Sequence, residues 1–407
     1  MEYFTLKNGM KIIYEHREGQ ITSLCIGFNA GALDETGRFA FGTAHALEHM
    51  ISKGTINRTE NDINNMCDSI FGFENAMTNY PYTVYYGSCL NQDVERAVEL
   101  YSDMLLNPLF PEGGFEGEMD VISQELREWK DDPYQCCEDL LFMNSFKNRR
   151  IKETIIGSKH SIKTIELQDI VDFYSSFYVP SNCVVSFSSS LDFEHILNLM
   201  EHYFQKFKDG DELPDCRTNL YEVNLPGIYE SSGNNTGGAK IQYIFDISDL
   251  NFREFKALML FNCAFGQGTG SFLFDRIRTE NAAAYEIGSS IKNETGIKLL
   301  SIKMGTSAEK IHSCICSIDN VVENIKNGGD YFSEDVINDL SKRIKIKRAL
   351  KAERSVQLCK ELTTCELMHG SFTKFDEEIE DLDAVSTEEI YSVIDKVMNN
   401  PSIQIFK

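Results

Sequence analysis

Apolar and polar residues alternate along this chain with two different periods, and the switches between them mark the elements. Thr5 to Lys7 and Met10 to Tyr14 read as the strands of a hairpin, joined at Asn8-Gly9, a dipeptide that predicts a type I′ turn. A third strand is expected from about Ser23 to Asn29, ahead of Gly31 and a polar loop. Helical periodicity covers Thr43 to Ser52, with Thr43 as its N-cap and Gly54 just past its end. Thr83 to Leu90 reads as a strand. Val94, Ala97, Val98, Tyr101 and Leu105 then share one helical face within Asp93 to Leu106, before Pro108 and Pro111. A further helix is expected from about Phe115 to Lys130, stopping before Pro133.

The polar segment Lys208 to Arg217, with Gly210 and Pro214, interrupts the pattern. It suggests an N-terminal domain over 1–209, a linker over 210–219 and a C-terminal domain over 220–407. Beyond it the order begins again. Strands are expected at Tyr243 to Ile247 and Lys298 to Met304, and helices at Lys256 to Ala264, at Ile311 to Ile325 and from about Ser333. Asp120-Val121-Ile122 recurs as Asp335-Val336-Ile337, which suggests a weak internal repeat. Strands interleaved with long helices, opened by a hairpin, imply an α+β fold of two homologous domains with mainly antiparallel sheets.

Composition narrows the function. The 407 residues are 42% apolar, enough for two cores. The 63 acidic and 39 basic side chains leave a net charge of −24, the wrong sign for a nucleic-acid binder. An acidic interior would attract basic peptides. The first residues, MEYFTLKNGMKIIYEH, lack a basic stretch followed by an apolar one. No apolar run reaches the roughly 18 residues of a membrane helix, so a cytoplasmic protein is expected. The 12 cysteines show no Cys-x-x-Cys pair, and free, mostly buried thiols are expected.

The candidate chemistry lies in His45-Ala-Leu-Glu48-His49. Histidines at i and i+4 stand one turn apart on one helix face and can share an ion about 2 Å from each ring nitrogen. Glu48, on the same face, can reach a water on that metal without ligating. A catalytic zinc needs a third protein ligand and an open position. His16, His160, His195, His202, His312 and His369 are single and scattered, each better read as a structural or surface residue. On the Phe115 to Lys130 helix, Glu118, Glu125 and Glu128 are all candidates, and spacing alone does not choose among them. The second half has no such motif, and Leu340 falls where Glu125 would repeat.

The segment Gly42-Thr-Ala-His-Ala-Leu-Glu-His-Met-Ile-Ser-Lys-Gly-Thr55 resembles the signature of the pitrilysin-type (inverzincin) zinc peptidases. That family includes insulin-degrading enzyme, the mitochondrial processing peptidase β subunit and bacterial processing-protease homologues. Leu6-Lys-Asn-Gly9, Ala30-Gly-Ala-Leu-Asp-Glu-Thr36, Asn75-Ala76, Thr83-Val-Tyr-Tyr86 and Asn107-Pro108 also have family counterparts. The resemblance implies Glu125 as third zinc ligand and Glu118 as a supporting carboxylate. In the second half, Phe265 to Phe274 with Arg278 and Tyr285 resemble the family's substrate-holding Arg/Tyr pair. That Gly-rich loop lacks the Gly-Lys-Ser/Thr ending of a nucleotide-binding loop. Ser188-Ser-Ser190 and the stretch after Pro133, with Cys136-Cys137, depart from the family pattern.

The family likeness further implies a zinc endopeptidase acting on peptides or unfolded segments in an enclosed chamber between halves arranged as a clamshell. A chain of this length would pair with a second copy or a second family member. Substrate would add as a strand near Phe73 to Thr78, with Asn75 and Ala76 in contact with it. The rival is a non-catalytic or regulatory subunit of a heterodimeric peptidase. Such subunits usually lose the zinc motif or the Arg/Tyr pair, and this chain keeps both.

Overall fold

The computed structural model describes residues 1–208, 213–214, 216–233 and 237–407. They form two compact units, neither continuous in sequence. Unit 1 comprises Met1–Leu126, Thr154–Thr218 and Leu350–Phe375; unit 2 comprises Arg127–Glu153, Asn219–Ala349 and Asp376–Lys407. The division expected at 1–209 and 220–407 therefore misses an exchange: each unit takes in a segment from the other half. Periodicity identifies a helix's apolar face but not the sheet that face will meet. Much of the expected linker, residues 210, 211, 212 and 215 with the boundary residue 209, lies outside the described residues. Its described residues up to Thr218 belong to unit 1, and Asn219 opens a segment of unit 2. Cys216 is buried, and the Arg217 fork clasps both oxygens of Asp34 at 2.9 Å each.

Unit 1 is built on a six-stranded sheet in the order β1-β2-β6-β3-β5-β4. The strands are β1 (Glu2–Thr5), β2 (Lys11–His16), β3 (Ile21–Phe28), β4 (Phe71–Thr78), β5 (Thr83–Leu90) and β6 (Cys183–Ser189). All neighbours are antiparallel except β2 and β6. The first turn differs from expectation. Leu6 O accepts from Gly9 N, Leu6 N donates to Met10 O, and of Asn8 and Gly9 only Gly9 has positive φ (+88°). That is a three-residue loop with its glycine in the left-handed region, not a type I′ turn, which needs two positive φ values.

The helices of unit 1 include α1 (Thr43–Met50), α2 (Glu60–Ile70), α3 (Val94–Leu106) and α4 (Glu112–Asp131, which continues past the unit boundary). In unit 2 the exchanged helix is α5 (Pro133–Ser145). Unit 1 also holds α6 (Leu167–Phe177) and α7 (Phe193–Phe204). Apolar residues of α1, α3, α6 and α7 form one core with the sheet, among them Leu47, Met50, Val98, Leu105, Phe173 and Met200.

The sheet of unit 2 has the order β7-β11-β8-β10-β9: β7 (Gly227–Ser231), β8 (Ala239–Asp246), β9 (Ala284–Glu294), β10 (Ile297–Thr306) and β11 (Ser402–Phe406). Setting β1 aside, both sheets run first, last, second, fourth, third, and in each the first and last strands are the parallel pair. The repeat is therefore one of topology. The Asp-Val-Ile triplet does not carry it, because it falls in mid-helix in α4 but in the first turn of the unit 2 helix Glu334–Glu353. The other unit 2 helices include α8 (Phe252–Gly266) and α9 (Ile311–Lys326); Glu334–Glu353 is α10 and the helix returning to unit 1, Ser355–His369, is α11. Among the described residues no helix is long and apolar enough to cross a membrane. The cysteines are free and mostly buried.

The exchanged helices sit on the sheets through small and polar side chains. In unit 1, the Thr363 hydroxyl is hydrogen-bonded to Cys25 O (3.2 Å) and to the Ser186 hydroxyl (2.8 Å), beside a cluster of Val356, Cys359, Val84 and Tyr86. In unit 2, Gln242 Nε2 donates to Tyr134 O at 2.8 Å and Asn144 to Gln404 Oε1 at 2.9 Å. Gly27 on β3 makes room for α11: a Cβ there would lie 2.6 Å from Thr363 Cγ2 and 2.8 Å from Leu367 Cδ1. Gly27→Ala is expected to destabilise unit 1 by roughly 1–3 kcal/mol, the usual cost of overpacking. An earlier urea-unfolding transition is the readout, and an unchanged midpoint would mean α11 does not press on the sheet there.

Candidate metal centre

Helix α1 turns one face to the core and the other to a set of carboxylates. Ala44, Ala46, Leu47 and Met50 are buried, which leaves His45, Glu48 and His49 on the remaining face. The N-cap is Gly42, not Thr43. Its φ of +107° and its Cβ position, 2.7 Å from Ile156 O, admit only glycine. The first turn is satisfied from outside the helix: Glu35, fully buried, accepts from Gly42 N (3.1 Å) and Ala44 N (2.9 Å). Asp34, clasped by Arg217, also accepts from Gly31 N at 2.9 Å. Past α1, buried Asp103 gathers Thr55 (2.7 Å), Arg58 (2.6 Å) and Asn107 (3.0 Å), fixing the chain's exit from the helix.

Three donor atoms converge. His45 Nε2 is 3.7 Å and His49 Nε2 3.6 Å from Glu125 Oε2 on α4. Ligand atoms of these three residues all lie within 4.8 Å of one another, the one such group among the described residues. The Glu125 side chain is 43% exposed, yet its Oε2 is buried and has no hydrogen-bond partner. Unsatisfied buried oxygens are costly, and an oxygen beside two ring nitrogens at non-bonding distance fits a cation between them. Ligands about 2.0–2.1 Å from a tetrahedral zinc stand about 3.3 Å apart, close to these separations. Of the three carboxylates left open by spacing, Glu125 occupies this position. Glu118 faces His49 Nδ1 at 2.8 Å, and Glu128 is in neither contact.

Electrostatics agree with a cation site. Burial, helped by the charge of His49, drives the His45 imidazole down to about 3, so it stays neutral with a free lone pair. Burial also pushes the Glu48 carboxyl up; Thr78 and His49 pull it back in part, and Glu125 pushes it further up. The Thr78 hydroxyl, from the end of β4, donates to Glu48 Oε2. Burial alone would raise Glu118, but its bonds to Lys53 (2.6 Å) and His49 outweigh that and hold it low. With Nδ1–H donating to Glu118, the His49 tautomer leaves Nε2 free for a metal. Lys53 also reaches Glu60 at 2.7 Å. Thr78 and Lys53 were not singled out from the sequence. Lys53 stood inside the quoted signature, but no spacing rule assigns it a partner.

The remaining expected site residues lie elsewhere. Asn75 and Ala76 are on β4, the open edge of the unit 1 sheet, and Asn75 Oδ1 turns back to Ala76 N at 2.8 Å. Arg278 and Tyr285 are in unit 2. The Arg278 guanidinium rests 4.9 Å from the Phe274 ring, and Tyr285, at the start of edge strand β9, is 74% exposed.

Residues 11–159 match the family described as Insulinase (Peptidase family M16), and residues 164–342 match the description Peptidase M16 inactive domain. An uncharacterized zinc protease of Streptomyces coelicolor is 25% identical, over 98% of this chain and 88% of its own length. The mitochondrial-processing peptidase subunit beta of Caenorhabditis elegans is 30% identical over 51% of this chain and 45% of its own. A solved structure of a protease from Helicobacter pylori superposes with a TM-score of 0.90, covering 100% of this chain and 99% of that one at 18% identity.

The Glu118–His49 contact generates a test independent of turnover. Glu118→Gln keeps an acceptor near Nδ1 but removes the charge that orients the ring and holds Lys53. Its zinc affinity, read by competition with a fluorescent chelator, should fall about 10- to 100-fold with the fold intact. Wild-type affinity would show that Glu118 does not support the site.

Proposed function

This chain belongs to the M16 peptidase family, and we propose that it is a zinc-dependent endopeptidase that cleaves peptides or unfolded protein segments. The observation that carries the reading is the buried, unbonded Glu125 Oε2 facing the Nε2 atoms of His45 and His49. Relatives across nearly the whole chain that are named zinc proteases support the choice of metal.

His45, His49 and Glu125 would hold a zinc ion, which would supply Lewis acidity for a scissile carbonyl and lower the pKa of a nearby water toward neutrality. Glu48 takes the proton of the attacking water and returns it to the leaving amine. Its carboxyl suits the role, being raised by burial and held in one orientation by Thr78. An extended peptide adds to the open edge of β4, where only a chain free of its own pairing can bind. From unit 2, Arg278 grips a substrate carbonyl and Tyr285 donates to the developing oxyanion. The working form pairs with a second copy or with another chain of the family, in line with the similarity to a processing-peptidase subunit.

Purified protein should hold about one zinc per chain, with the metal weakened in His45→Ala, His49→Ala and Glu125→Gln. Glu48→Gln should keep its zinc and bind peptide while losing nearly all turnover. Metal analysis beside a fluorogenic-peptide assay decides. Full zinc retention in all three ligand variants, or wild-type turnover in Glu48→Gln, would remove the assignment.

Tyr285→Phe keeps the ring and removes the hydroxyl. Normal zinc content and a kcat/KM lower by roughly ten- to a thousand-fold are expected, the scale of one lost oxyanion donor. Arg278→Ala should raise KM as well. Unchanged kinetics in both variants would confine the chemistry to unit 1.

A further inference from the structure

Two irregularities in unit 2 turn Tyr285 outward. Along β9, Ile287 belongs to the core, and a regular period of two would send Tyr285 to the same side. The register with β10 slips at this point. Gly305 stands opposite Glu286 but Thr306 opposite Ala284, so Tyr285 is the extra residue of a β-bulge. Ala284 takes the core position in its place, and Tyr285 stands exposed. Upstream, the π-helix Phe274–Glu280, which carries Arg278, leads into a turn through Ala282. The Ala282 φ of +45° lies in the left-handed region that favours glycine. Side chains from outside the segment hold this turn. Thr306, buried at the end of β10, donates from Oγ1 to Ala283 O at 2.5 Å. Lys310, just before α9, donates from Nζ to Ala282 O at 2.8 Å. Cys314 Sγ packs 3.5 Å from both Ala283 O and Thr306 Oγ1.

We infer that Thr306 and Lys310 are positioning residues: their bonds to Ala283 O and Ala282 O hold the bulge and so preset the direction of the Tyr285 phenol. The inference rests on the reading of Tyr285 as a donor to the oxyanion. Such a donor is effective only when it is aimed before the reaction begins. Tyr285 lies on an edge strand, where a one-residue slip in register would turn its ring back toward the core side. The alanines of the turn bring no side-chain bond of their own, and Ala282 is held in a conformation that its residue type disfavours. The two donors from β10 and the start of α9 therefore set the shape of the turn. Thr306 sits at the register step itself, so its hydroxyl ties the bulge from across the ladder. Both residues act through Tyr285 and not on substrate.

The test is a mutant cycle on the zinc-loaded full chain, read with a fluorogenic peptide. Thr306→Val/Lys310→Met keeps much of the side-chain volume and removes both donors. Its kcat should fall roughly tenfold while KM and zinc content stay near wild type, the pattern of an interaction made only in the transition state. Thr306→Ser/Lys310→Arg keeps both donors and should restore kcat. In a Tyr285→Phe background, Thr306→Val/Lys310→Met should lower kcat no further, which a merely structural role would not produce. A fall of equal size in both backgrounds, or no fall with Tyr285 present, overturns the inference. Fluorotyrosine at position 285 reads the ring without turnover. Its fluorine NMR signal should be sharp in the parent and shifted or broadened once both donors are removed; an unchanged signal also overturns the inference. A wild-type chain that cleaves no peptide, with that spectral change present, would remove the peptidase reading and leave the positioning of Tyr285 in place.

Discussion

Two imidazole nitrogens stand 3.7 and 3.6 Å from one buried carboxylate oxygen that has no hydrogen-bond partner, and the local architecture of unit 1 holds that group together. Left alone, ring-nitrogen lone pairs and a carboxylate in a partly desolvated space repel or seek water. They stay in place because α1 cannot turn or slide. Glu35 holds its first turn, four core side chains pin its inner face, and the Asp103 cluster fixes its exit. Lys53 and Glu118 then set the ring of His49 from behind. A cation at the centre, as proposed, would turn this cost into binding energy, the usual logic of a site whose ligands are buried before the metal arrives.

Unit 2 repeats the sheet without the problem. Leu340, near the position expected for a carboxylate, is buried in an apolar core, and no group of metal-ligating side chains is found in unit 2 among the described residues. The same strand order thus supports a cluster of candidate metal ligands in one copy and ordinary packing in the other, so function is read from the site and not the fold. The exchange of α5 and α11 also binds the two halves of the sequence into common folding units. Each sheet takes all its strands from its own half of the chain but packs against a helix from the other half.

Much of this was legible in the sequence. The period-two and helical patterns placed Thr83–Leu90 as observed and α1, α3 and β3 to within a residue or two. The i, i+4 histidines needed only helix geometry. The choice of Glu125 over Glu118 and Glu128 did not follow from spacing, since all three lie on one helix and only the packing of α4 against α1 separates them. The hairpin turn was misread because Asn-Gly fits two loops of different length, and the pairing of Leu6 with Met10 decides between them. The exchanged helices were not legible, because their partners are chosen by close contacts such as Gly27 under Thr363, at a sequence distance no local pattern covers. Thr78 and Lys53 escaped for the same reason.

The central claim is that these three residues hold zinc through two ring nitrogens and a carboxylate oxygen, leaving one position open. X-ray absorption at the zinc edge on the purified, zinc-loaded protein reads that shell directly. The account predicts only nitrogen and oxygen neighbours at about 2.0–2.1 Å, with the multiple-scattering pattern of two imidazoles. A sulfur neighbour at about 2.3 Å, from any of the 12 cysteines, or a shell without imidazole, would contradict it.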